Sequence, residues 1–254
     1  MKVIAFTVAD KNNMKYAKKM ANSFNYFHPD IEVKIYTEKE IGDKINYYRQ
    51  KPMFARELIK DYDIVIGLDA DQIITGDLSY IFDKEFDVAV VNNFCRNDVP
   101  KYGYIGVFDI PPDQYMNCGM VIMKSKKFID HWWELCNSYH FQKLQYKEQD
   151  LLNIMVHYGT WKVIPLDSPM TAHAWHGLLS KGEWLKMKLV DDKLILPKAD
   201  DMYPEEDKEI KVMHWAGGGN EPKLNYRILC TEEVIKHLDK LVKERKHAKV
   251  NGKS

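Results

Sequence analysis

The stretch Asp63-Ile-Val-Ile-Gly-Leu-Asp69-Ala-Asp71-Gln-Ile-Ile-Thr-Gly-Asp77-Leu78 reads as a strand that delivers two carboxylates to one place. Ile64 to Leu68 is apolar on both alternating faces, the pattern of a strand buried on both sides, and it runs directly into Asp69-Ala70-Asp71. In extended backbone, residues two apart point to the same side. Both carboxylates therefore converge at the strand's C-terminal end, where open α/β sheets bind ligands. Two such anions within several ångströms repel each other by about 1–4 kcal/mol, depending on dielectric, and a divalent cation reverses the sign. Oxygen ligands suit a hard ion such as Mg²⁺ or Mn²⁺, and an added imidazole moves the preference toward Mn²⁺.

By itself an Asp-x-Asp is a weak signal, because solvated turns carry the same residues. An EF-hand start fails here, since Ile73 and Ile74 stand where a ligand and the loop glycine belong. A phosphatase-type pair usually follows the first strand, whereas this one follows the third.

Outward from this segment, short Val- and Ile-rich runs alternate with helix-patterned stretches, as buried parallel strands joined by crossover helices do. The expected strands are 3–8, 32–36, 63–68, 86–91, 119–123, 162–165 and 210–214. The expected helices are 13–27, 52–61, 127–139, 148–158 and 232–245. Residues 191–209 hold eight acids, three lysines and two prolines and read as a solvated loop. The fold class is α/β, a mostly parallel, Rossmann-like central sheet flanked by helices in a single domain. Residues 1–228 form the main body, and 229–254 add an amphipathic helix, with Thr231 as N-cap, and a basic tail.

A chain of 254 residues with 45% apolar content is long enough to bury a real core. Lys+Arg and Asp+Glu both number 37, so no global field favours nucleic acid as a partner. The balance hides seven Lys or Arg against two acids in residues 236–254, which reads first as a helix packed on the body with a frayed basic tail and, as the alternative, as a contact for a membrane surface. Cys95, Cys118, Cys136 and Cys230 lack Cys-x-x-Cys spacing, which argues against a zinc site or disulfide framework and for a reducing compartment. The N-terminal apolar stretch is too short for a signal peptide, and no run reaches membrane-span length. The expected location is cytoplasmic, with membrane contact confined to the tail.

Three further blocks follow the acidic pair in order. They are Met116-Asn117-Cys118-Gly119-Met120, Glu148-Gln149-Asp150-Leu151-Leu152-Asn153, and Met213-His214-Trp215-Ala216-Gly217-Gly218-Gly219 with Pro222-Lys223 behind it. Together with Leu68-Asp69-Ala70-Asp71 they resemble the family-8 glycosyltransferases, the group of glycogenin and the bacterial lipooligosaccharide galactosyltransferases. That family shows L-D-A-D, N-x-G, D/E-Q-x-L-L-N and H-x-x-G with a nearby K-P in this order, and the resemblance spans roughly residues 2–223.

The resemblance implies a GT-A fold and transfer of a sugar from a nucleotide diphosphate, usually UDP-linked, to a hydroxyl on a glycan, glycolipid or protein, with retention of anomeric configuration. Asp69, Asp71 and His214 would ligate a Mn²⁺ or Mg²⁺ that bridges the donor phosphates, with Ala70 between the acids. Thr7, Val8, Ala9 and Tyr16 correspond to the uracil and ribose cradle, and Tyr16 equally suits ordinary core. Asn117 and Gly119 would face the sugar. Gly217 and Lys223 would approach the phosphates, although this lysine follows the proline instead of preceding it. Lys51 resembles a family lysine that touches the donor. Glu148 and Gln149 would lie nearest the reacting carbon, and Glu148 equally suits a first-turn acid facing the helix dipole.

Two rivals follow from the same residues. A sugar-nucleotide pyrophosphorylase needs a glycine-rich loop after the first strand, and Val8-Ala9-Asp10-Lys11-Asn12-Asn13 has no glycine. A non-catalytic GT-A-like module would be free to lose a member of the Asp69, Asp71, His214 trio, and this chain keeps all three.

Overall fold

The computed structural model describes residues 1–41, 47–92, 110, 114–166, 171–173, 186–198, 206–214 and 230–243. In chain order the strands are β1 (Val3–Val8), β2 (Glu32–Tyr36), β3 (Ile64–Leu68), β4 (Gln72–Ile74), β5 (Val88–Asn92), β6 (Met116–Met123), β7 (Val163–Leu166), β8 (Thr171–His173), β9 (Lys188–Val190), β10 (Lys193–Leu196), β11 (Lys208–Glu209) and β12 (Val212–His214). The helices are α1 (Met14–Phe27), α2 (Glu38–Ile41), α3 (Gln50–Leu58), α4 (Lys126–Cys136), α5 (Glu148–Tyr158) and α6 (Glu232–Val242).

Six strands make the central sheet in the order β2-β1-β3-β6-β5-β7. β1 pairs in parallel with β2 and β3, and β5 with β7, while β6 runs antiparallel to both of its neighbours. The α/β, mostly parallel, Rossmann-like expectation holds, with β6 as the reversed strand. Every residue of β3 and β6 is buried, as their unbroken apolar runs require. One core cluster packs α3, α4 and α5 against the sheet through Phe54, Phe128, Trp132 and Leu152, and another includes Met20 and Phe24 of α1.

Two smaller three-stranded sheets were not legible as such. β4, β12 and β8 form one, so the strand expected at 210–214 lies outside the central sheet. β9, β10 and β11 form the other, which corrects the solvated-loop reading at residues 191–196 and 208–209, while 199–205 lie outside the described residues. There Asp191 and Asp192, with φ of 50° and 61°, make the two-residue turn between β9 and β10. Positive φ at both central residues matches the twist of a tight hairpin, and aspartate tolerates it better than most residues. Of the acids that looked like loop composition, Asp191 and Asp192 are turn residues and Glu209 is a strand residue near buried Leu194 and Leu196.

Helix ends follow local chemistry. Ser125 accepts a hydrogen bond from the Phe128 N–H to cap α4, and Thr231 accepts from Val234 N–H to cap α6, as expected for the latter. α6 buries Val234, Leu238 and Leu241 against the third cluster, and its Val242 carbonyl accepts from Asn22 Nδ2 of α1 at 3.0 Å. α3 starts two residues before Pro52, which a first turn tolerates, so Lys51 belongs to the helix. No helix among the described residues is long and apolar enough to cross a membrane. Residues 244–254 of the basic tail lie outside the described residues.

Candidate active site

β3 ends at Leu68, and Asp69 to Asp71 turn the chain into β4. The two carboxylates converge through this turn and not through a continued strand. Asp69 is fixed by its own N–H, which donates to the Gly119 carbonyl at 2.8 Å. β4 then pairs with β12 so that Gln72 faces His214. The two ends of the chain's ligand set are thus neighbouring strands of one small sheet.

His214 Nε2 lies 3.4 Å from Asp69 Oδ2 and 3.4 Å from Asp71 Oδ1. The ligand atoms of the three side chains lie within 4.8 Å of one another, a group able to hold a metal ion. The imidazole is buried, with 2% of its side chain exposed. Burial alone would depress its pKa, but hydrogen bonding to Asp69 and Asp71 and their negative charges outweigh that and raise it to about 9. Gly119 is what makes room. A Cβ there would lie 2.2 Å from His214 Cε1, 2.7 Å from Asn117 Oδ1 and 2.8 Å from His214 Nδ1. The donor set, its spacing and the cut-away backbone all fit a divalent cation.

Lys51 reaches this cluster from the first turn of α3. Its stem passes Gly67, where a Cβ would sit 3.2 Å from Lys51 Cγ and Cδ. Its ammonium donates to Asp69 Oδ1 at 2.7 Å and to the Cys118 carbonyl. Burial would lower the lysine's pKa, but the Asp69 carboxylate beside it raises it on balance. Partial burial would raise that of Asp69, but Lys51 and His214 hold its carboxyl well below the usual range. The Lys51 ammonium therefore ties Asp69, and with it the Asp69-Asp71-His214 cluster, to the β6 backbone.

β6 departs from regular pairing at this point. Its register with β5 jumps from Val90↔Val121 to Val91↔Asn117, so Cys118, Gly119 and Met120 bulge, as strands often do beside functional sites. β3 pairs no farther than Met120. Beyond it, side chains replace the missing strand. Asn153 accepts from Met116 N–H at 2.6 Å and donates to Met116 C=O at 2.8 Å, Gln149 Oε1 accepts from Cys118 N–H at 3.0 Å, and Asn117 Oδ1 accepts from Gly119 N–H at 2.7 Å. Four residues of helix rise ~6 Å and two residues of strand ~6.7 Å, so Gln149 and Asn153 match alternate backbone groups of β6. This coupling of α5 to β6 was missed in the sequence, although two amides at i and i+4 were visible there.

Lys147, at φ 50°, sits in the left-handed region just before α5, a strained turn that presents Glu148 and Gln149. Glu148 Oε1 lies 3.8 Å from Cys118 Sγ, while its buried Oε2 has no hydrogen-bond partner among the described residues. Burial pushes its pKa up from 4.5 to about 8, against the pull of its backbone hydrogen bond and the Lys51 charge. The folded state thus holds this proton more tightly than the unfolded chain does, so stability falls as pH rises from about 4.5 to about 8. Glu148→Gln should remove that loss. Thermal melts at pH 5 and pH 8 should show a smaller pH penalty for the variant, with about 2–4 °C for each kcal/mol recovered. Equal penalties would mean that Glu148 is ionised throughout.

The other expected residues are placed as follows. Thr7 is buried on β1 with its Oγ1 unpartnered among the described residues, Val8 packs on the first core cluster, and the Ala9 N–H is taken by the Tyr36 carbonyl at 2.9 Å. Tyr16 is half-buried against the cluster that holds Ile73, Met213 and the apolar face of α6, with the Lys15 ammonium over its ring. Trp132 of α4 is fully buried and donates to the Glu148 carbonyl at 3.0 Å. Gly217, Lys223 and Cys95 lie outside the described residues.

The sequence model described as glycosyl transferase family 8 matches residues 3–219. The chain belongs to this family and is a glycosyltransferase. A search of curated proteins finds no match. Among solved structures, the chain is similar to the galactosyltransferase LgtC in complex with donor and acceptor sugar analogues. Identity is 16% and the TM-score 0.59, over 96% of this chain and 98% of that one. It is also similar to the bifunctional glycosyltransferase WbbM in its apo form (13%, TM-score 0.58), covering 97% of this chain and 50% of WbbM. A glycosyltransferase involved in glycosylation of the major capsid of PBCV-1 matches at 13% identity and TM-score 0.52, over 86% and 95% of the two chains. These likenesses establish the GT-A-like fold; the family sets the reaction class.

Proposed function

We propose that the protein is a metal-dependent, retaining glycosyltransferase that takes a UDP-sugar as donor and a hydroxyl of a glycan, glycolipid or protein as acceptor. The observation that carries the reading is the convergence of Asp69, Asp71 and His214 against Gly119 at the C-terminal end of β3. These three residues would hold Mn²⁺ or Mg²⁺, which when bound supplies positive charge to stabilise the departing diphosphate. Lys51 adds a fixed positive charge beside that position and keeps Asp69 in place. Thr7, whose hydroxyl has no partner among the described residues, and Val8 and Ala9 at the end of β1 would cradle the base, with Tyr16 offering its ring beside them. Asn117, Gln149 and Glu148 border the bulge and would face the sugar, with the Glu148 carboxyl positioned at low polarity to hold a proton or a hydroxyl. Gly217 and Lys223 would close on the phosphates. Residues 1–228 form the transferase body in this reading, and the basic tail meets a membrane surface.

The test is a panel of UDP- and GDP-sugars with the purified protein and Mn²⁺, read as released nucleotide. Release from a UDP-sugar that stops on chelation and returns with Mn²⁺ supports the reading. UDP binding by calorimetry with no metal dependence and no release would replace it with a binding module.

A further inference from the structure

The buried pair Tyr115 and Asp150 is not used by the reaction as derived above. Tyr115 is fully buried and Asp150 is 2% exposed. The Tyr115 hydroxyl donates to Asp150 Oδ1 at 2.6 Å, and Asp150 Oδ2 accepts from Tyr146 N–H at 2.8 Å. Gln149 Nε2 lies 3.3 Å from the same phenol oxygen, and Gln149 Oε1 accepts from Cys118 N–H.

A phenol has one proton. With that proton committed to a carboxylate whose two oxygens both face donors, the phenol oxygen has only lone pairs left for Gln149. The Gln149 amide must then turn its NH₂ toward Tyr115, which agrees with the Cys118 N–H demand for the carbonyl on the other side. A flipped amide would face lone pair with lone pair at Tyr115 and N–H with N–H at Cys118. Two independent contacts thus select one orientation. Among the described residues, one lone pair of Oε1 and one N–H of Nε2 are left without a partner beside the bulge that carries Gly119.

We propose that Tyr115, held by Asp150, is a positioning residue that fixes which end of the Gln149 amide is offered to the bound sugar. The proposal rests on the reading of Gln149 as a sugar-facing residue. Asp150 accordingly acts through Tyr115 and not on the substrate.

The test compares the side-chain amide signals of Gln149 in ¹H–¹⁵N spectra of the full chain, assigned by their loss in Gln149→Ala. In the unmutated protein the two protons should be well separated and slow to exchange. Tyr115→Phe keeps the buried ring and removes the hydroxyl, and it should move the pair toward the positions of a solvent-exposed glutamine amide and speed its hydrogen exchange. Asp150→Asn keeps the volume but presents a donor where an acceptor is needed, and it should do the same, covering the case in which Tyr115→Phe does not fold. An unchanged amide pair in either folded variant overturns the proposal. The kinetic arm uses release of UDP from UDP-sugars with Mn²⁺. Tyr115→Phe should lower kcat about tenfold with KM within about twofold, and should add nothing in a Gln149→Ala background. Gln149→Ala at full kcat would instead overturn the sugar-facing role of Gln149, while the spectra still decide what orients its amide.

Discussion

Asp71→Asn should reduce metal-stimulated release of nucleotide on the order of 10²–10³-fold while leaving the protein folded, the size of loss seen when one charge-stabilising group is removed from a transferase or hydrolase centre. Asparagine keeps the volume and one acceptor oxygen at a side chain that is only 12% exposed, so packing is preserved. What disappears is one of two negative charges around a fixed imidazole. Asp69 cannot compensate, because its Oδ1 is already engaged by Lys51 at 2.7 Å. Calorimetric titration with Mn²⁺ should show the loss of affinity directly, and a melting curve should show an unchanged fold. Unaltered Mn²⁺ affinity in the folded variant would place the ion elsewhere and remove the basis of the proposed function.

Gly119→Ala should do comparable damage through shape alone. The added methyl would come within 2.2 Å of His214 Cε1, a separation no real pair of carbons tolerates. His214 has no slack to yield, since its ring is buried and its strand is pinned between β4 and β8. The ring must therefore swing off Asp69 and Asp71, or the bulge must open. We expect at least a tenfold loss of Mn²⁺ affinity and about 1–3 kcal/mol of stability, read by calorimetry and by thermal melting. Gly67→Ala is the matched control. There the methyl would meet the Lys51 stem at 3.2 Å and the Phe6 ring at 3.3 Å, contacts that yield by a few tenths of an ångström, and the effect on Mn²⁺ affinity should be smaller. Equal effects at the two positions would mean that the Gly119 contact is not what seats His214.

How far these features were legible before folding differs from residue to residue. β1, β2 and α5 were read to their ends, because β1 and β2 are short Val/Ile runs and α5 opens on acids that suit the helix dipole. The acidic pair was legible from the apolar run that precedes it, although its convergence comes from a turn. β4 was not, since Gln72, Ile73 and Ile74 are too few to show a period, and their strand character depends on β12, far away in sequence. The β9–β10 hairpin was hidden because Asp191-Asp192 lacks the glycine that usually marks such turns. Glu148 and Gln149 were visible as a motif, but the partners that define their chemistry, Tyr115, Cys118 and Lys51, are brought together only by the bulge in β6. Local pattern reveals elements; it does not reveal which backbone groups an element leaves for side chains to claim.

The pairing of β4 with β12 has a thermodynamic reach beyond the site. Asp69 and Asp71 come from the first third of the chain and His214 from its last fifth. An ion held by all three is a reversible stitch across the long intervening segment, and it restrains the folded chain far more than the open one. Under the proposed metal dependence, occupancy by the cation and integrity of the whole body become a single equilibrium, so depletion of the ion should lower the melting temperature along with the activity.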